Sequence, residues 1–241
     1  REGKDEGASP KEKAGKGNTI FLAGAGVYEN GAIVGSISSS KIQETGQSTT
    51  TEISHPDAKL ILNPIGKDNG KKVYFFYGYK NTSKDQDMKA SERLSINDDI
   101  RNLQKKGYTV IVNPVSTFVD FKTAVYNKDT AGIVWSGHGA GNSSSTGQTI
   151  GDVQLSDGTY INPTMIDKNK VGNNLKFVVF ETCNTGKQTN DWGNVLNTEV
   201  IGWSKPTSVP ETKDFNTPDN WLQNLFLKNK VELDDLIKNK L

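Results

Sequence analysis

The chain has 241 residues, with 29 Lys and Arg against 28 Asp and Glu and a formal net charge of +1. That length can bury a substantial core, and the even charge argues against an electrostatic nucleic-acid binder, which would carry a basic face. Hydrophobic residues make up 33% of the chain and aromatics 8%, which excludes disorder throughout, and no apolar run approaches the roughly 18–20 residues of a membrane-spanning helix.

Residues 1–17 are charged and rich in Gly and Lys, the composition of a flexible tail. No signal-peptide pattern opens the chain, so a processed fragment, either cytoplasmic or a delivered effector domain, is the expectation. Residues 18–70 read as a small β-rich N-terminal segment. Within it, residues 19–23 are apolar, and Asn30-Gly31 between two short apolar runs predicts a tight hairpin. Residues 58–62 offer one more strand.

After Gly70 the pattern changes to strands alternating with helices, and residues 71–241 read as one larger domain. Residues 73–77 form a buried-strand run. A polar loop over 80–89 leads to a helix predicted at about 91–106, with Ile96, Ile100 and Leu103 on one face and Gly107 at its end. Residues 108–112 predict a second strand. Thr117 and Asp120 have capping-box spacing and open a helix whose apolar face is Phe118, Phe121 and Val125. Strands follow at 131–135, 177–180 and 199–203. A short hairpin around Asp157-Gly158 and a helical turn from Pro163 lie between the first two. Residues 218–241 read as closing helices. The implied fold class is α/β, an open and mostly parallel sheet with helices on both faces.

In such sheets, reactive groups gather at the carboxyl ends of the strands. The strand at 131–135 exits into Ser136-Gly137-His138-Gly139-Ala140-Gly141, and the strand at 177–180 into Glu181-Thr182-Cys183-Asn184-Thr185-Gly186. One of two histidines and the single cysteine therefore leave strands of the same inferred sheet. A thiol gains reactivity from an adjacent imidazole, which also supplies the leaving group's proton. The amides of Gly139 and Cys183 are candidates for an oxyanion hole. A single cysteine excludes a disulfide framework and a multi-cysteine zinc site, and neither metal nor cofactor is expected. Gly24-Ala25-Gly26 lacks the following helix of a dinucleotide loop, and His55 beside Pro56 reads as a passenger. Asp98 and Asp99 are expected on a solvated helix face.

The ordered pair 133–139 and 177–186 resembles the signature of the caspase-like cysteine peptidases, a superfamily that includes metacaspases, clostripain-type enzymes and CHAT domains. The hairpin around Asp157 also resembles a segment of CHAT domains. The resemblance covers roughly residues 72–204 and implies a caspase-like domain with His138 as catalytic histidine, Cys183 as nucleophile and Gly139 in the oxyanion hole. It implies a substrate pocket containing Glu181, walled by the segment with Trp203 and Ser204. An acidic pocket favours Lys or Arg before the scissile bond, although relatives with the same glutamate prefer asparagine. The expected partner is a protein or peptide substrate, with activation by a partner or by self-cleavage near Lys187 or in residues 205–213. A catalytically silent scaffold and a cysteine-dependent acyltransferase are the alternatives. No third catalytic group is legible after His138.

Overall fold

The computed structural model describes residues 25–29, 32–37, 59–86, 88–89, 97–144, 147–202, 233 and 235–241. Ten strands are present among them. Eight form one mixed sheet in the order β10-β9-β6-β4-β5-β3-β1-β2, and β7 (Val153–Gln154) pairs with β8 (Tyr160–Ile161) as a separate hairpin.

The central strands are those expected from the buried apolar runs. They are β4 (Lys72–Tyr77), β5 (Thr109–Asn113), β6 (Thr130–Ser136), β9 (Phe177–Glu181) and β10 (Glu199–Ile201). Each neighbouring pair among them is parallel, so their carboxyl ends lie along one sheet edge. Apolar side chains at nearly every position suit strands covered on both faces. The N-terminal strands continue this sheet across the boundary at residue 70. β3 (Lys59–Leu62) runs antiparallel to β5, and the hairpin of β1 (Ala25–Glu29) and β2 (Ala32–Ile37) extends it outward. Residues 19–23 lie outside the described residues.

Alternation along the strands separates two apolar layers. On the first face, Val73, Phe75 and Tyr77 join Val134, Phe177 and Val179. Ile100 and Leu103 of α1 (Asn97–Lys105) cover them, with Leu233, Leu236 and Ile237 of the C-terminal helical segment. On the second face, Tyr74, Phe76, Ile133, Trp135, Val178 and Phe180 meet α2 (Phe118–Tyr126) and α3 (Thr189–Leu196). Phe121 stands edge-on to both Trp135 and Trp192, an arrangement that favours contact between ring edge and ring face.

Local chemistry accounts for the helix starts and stops. Thr117 and Asp120 form the expected capping box, each side chain accepting from the other's backbone N–H at 3.3 and 2.8 Å. Gly107 ends the turn after α1 with φ of 93°, a conformation open to glycine at no steric cost. Asp99 differs from expectation. It lies on the packed side of α1 and is 1% exposed. The first turn of the helix predicted at 91–106 and the closing segment 218–232 lie outside the described residues. Among the described residues no helix is long and apolar enough to cross a membrane.

Candidate active site

Three strands that are neighbours in the sheet, β9, β6 and β4, deliver their following loops to the same edge. Ser136, at the end of β6, pairs in register with Glu181 at the end of β9. Two residues beyond each stand His138 and Cys183, so the parallel register alone sets their loops side by side. The backbones then touch. A Cβ placed on Gly139 would overlap the Cys183 carbonyl oxygen and fall 2.9 Å from the Cys183 nitrogen. Only glycine permits this approach of one backbone to the other.

The β7–β8 hairpin supports the histidine loop from its other side. Gly139 forms an antiparallel bridge with Val153, and the bonds of that bridge run through flanking residues. Gln154 donates its N–H to the His138 carbonyl at 2.9 Å, and Ala140 donates to the Asp152 carbonyl at 2.8 Å. Gly139 thus occupies the non-hydrogen-bonded position, where its own N–H points away from the partner strand.

His138 is oriented by a residue that sequence reading did not single out. Asp85, in the loop after β4, places Oδ1 2.9 Å from His138 Nε2. Asp85 as a residue is 6% exposed, and its other carboxylate oxygen accepts the Lys80 N–H at 2.9 Å. The Asp85 backbone N–H donates to the Thr82 hydroxyl at 3.2 Å, closing the loop into a helical turn at residues 83–86. Tyr79 meets the imidazole edge-on, with ring centroids 5.5 Å apart. An ionised Asp85 accepts a proton-bearing Nε2, which leaves Nδ1 as the basic nitrogen. The only sequence signal for Asp85 was its place after a buried strand of the same sheet, amid a polar stretch that reads as solvated loop.

Cys183, partly exposed, opens a tight turn. Asn184 follows with φ of 60°, in the left-handed region, and its side-chain amide donates across to the Ala140 carbonyl at 3.4 Å. The hydroxyls of Thr182 and Thr185 meet within the same turn. A 3-10 turn over Thr185–Gln188 then leads into α3.

Glu181 is 6% exposed and accepts the Ser136 hydroxyl at 3.0 Å. Burial raises its carboxyl from 4.5 to about 7, against the lowering effect of the Ser136 bond. The structure therefore brings His138, Gly139, Glu181 and Cys183 to one sheet edge and adds Asp85. Trp203 and Ser204 lie outside the described residues, beyond Gly202. Among the described residues no group of three or more His, Cys, Asp or Glu side chains is placed to hold a metal ion. Comparisons of the chain with protein-family models, with curated proteins and with solved structures found no match in any of the three.

Proposed function

We propose that this protein is a cysteine endopeptidase with a caspase-like arrangement of its catalytic residues. The observation that carries this reading is the convergence of Asp85, His138 and Cys183 at the carboxyl ends of three adjacent strands, with Gly139 against the Cys183 backbone.

In the proposed reaction, Asp85 holds His138 with its proton on Nε2. The Nδ1 atom takes the Cys183 thiol proton, and the thiolate attacks the scissile carbonyl carbon. The oxyanion accepts hydrogen bonds from the Gly139 and Cys183 amides; a single such donor is typically worth on the order of 10²–10³ in rate. The His138 imidazolium then protonates the departing amine, leaving an acyl-thioester that water hydrolyses. Glu181 lies on the first face beside this centre and supplies a carboxyl group for the side chain preceding the scissile bond.

Cleavage of peptides with Lys or Arg before the scissile bond tests the reading, together with labelling by an acyloxymethyl-ketone probe. The expected result is stoichiometric labelling at Cys183, with labelling and cleavage both abolished in Cys183→Ala. Cleavage that survives Cys183→Ala overturns the mechanism. An unreactive Cys183 with no cleavage favours a silent scaffold, and products in which an amine replaces water identify an acyltransferase.

A further inference from the structure

A cavity of about 850 Å³ lies between α3 and the segments preceding β7 and following β8. Ligand pockets fall in this range of volumes. Its floor is Asp152 and Gln188, 1% and 9% exposed. The Gln188 side-chain N–H groups are committed, at 3.1 Å to the Ile150 carbonyl and 2.7 Å to Asp152 Oδ1. Those bonds fix the amide's orientation and leave its buried Oε1 without a hydrogen-bond partner. A buried acceptor in this state is costly unless a donor arrives. The exposed rim carries Lys168 and Lys187 against the single carboxylate of Asp191.

The cavity is joined to the candidate active site by direct contacts. A Cβ on Gly151 would lie 2.7 Å from the Asn184 carbonyl oxygen and 3.4 Å from the Gln188 Cγ, so the floor adjoins the residue after Cys183. Asp152 also accepts the Ala140 N–H through its backbone carbonyl, two residues from His138. The placement across the sheet gives a direction. Glu181 continues the alternation of Phe177 and Val179 and so belongs to the first face, whereas α3 and the β7–β8 hairpin pack on the second. A substrate whose preceding side chain meets Glu181 and whose chain crosses the sheet edge at Cys183 would carry its leaving portion over the second face, where the cavity lies.

We infer that this cavity receives the substrate residues following the scissile bond and favours an acidic side chain at the second or third of them. The inference rests on the peptidase reading above. Asn184, the residue after Cys183, adjoins the floor through Gly151, and an extended chain advancing about 3.3 Å per residue enters the cavity within its first few residues past the scissile bond. A backbone N–H of that stretch donates to Gln188 Oε1, and the carboxylate meets Lys168 and Lys187 at the rim. A pair of exposed lysines confers a preference of about fivefold, the range expected of solvent-screened ion pairs.

The test uses internally quenched peptides with Lys before the scissile bond and either Glu or Lys at the second and third positions after it. Each peptide is compared in the full chain and in the Lys168→Glu, Lys187→Glu double variant. The ratio of kcat/KM for the Glu peptide to that for the Lys peptide is expected at about five and is expected to invert in the variant. Because it is a ratio within one protein, it is insensitive to any general loss of activity. Cleavage with the same ratio in both proteins overturns the cavity's role and leaves the peptidase reading standing. Absence of cleavage of every peptide by the unmodified protein overturns the peptidase reading and this inference with it.

Discussion

Replacing Glu181 by Gln isolates what its burial costs the fold. The carboxyl is raised from 4.5 to about 7, and desolvation is the leading cause. Below about pH 4.5 both the native and the unfolded chain hold this proton, and the group contributes no pH dependence. Between the two values the native state keeps a proton that the unfolded chain has released, so stability falls as pH rises. The slope is about 1.4 kcal/mol per pH unit, and across the window the loss comes to about 3 kcal/mol. Above about pH 7 both states are ionised and the loss is complete. A glutamine at 181 retains an oxygen acceptor for the Ser136 hydroxyl but cannot titrate. The difference in unfolding free energy between the native protein and Glu181→Gln should therefore drop by about 3 kcal/mol from pH 4 to pH 8. Urea unfolding followed by fluorescence of the buried Trp135 and Trp192 reads this directly. A difference that stays constant across that range refutes the account of Glu181 as a carboxylate ionised against burial.

Asp85→Asn should lower kcat on the order of 10⁴ with little change in KM. The Lys80 N–H would claim the amide oxygen, turning the new NH₂ toward His138 Nε2 and moving the imidazole proton to Nδ1, where it blocks the base. A variant with unchanged kcat rules out an orienting role for Asp85. Gly139→Ala drives a methyl into the Cys183 carbonyl. Loss of at least about 10² in the rate of Cys183 labelling is expected, with a cost of about 1–3 kcal/mol in thermal or urea unfolding. Labelling at the native rate shows that close contact of the two loops is not required.

The parallel strands of the mixed sheet and the helices covering them were legible because buried strands write their burial into local composition. Runs such as Val73 to Tyr77 and Phe177 to Phe180 are apolar without alternation, which suits strands covered on both sides. The capping box at Thr117 was legible for a similar reason, since it joins groups three residues apart. His138 and Cys183 stood out because each follows such a strand, and parallel strands aligned in register carry their exits to one edge. Helix periodicity alone placed Asp99 on a solvated face. Its burial depends on how α1 lies against the first face of the sheet.

Asp85 marks the limit of local information. It lies 53 residues before His138, within a polar stretch whose composition matches any solvated loop. Only the insertion of β4 beside β6, out of chain order, brings that loop to the imidazole. The continuation of the N-terminal strands into the main sheet has the same origin, because β3 finds its partner in β5 across intervening chain. Local sequence decides which segments are strands or helices and which polar residues sit at their ends, since those choices depend on neighbours within a few positions. Strand order decides which ends meet, and it follows from burying the apolar faces of the whole chain at once.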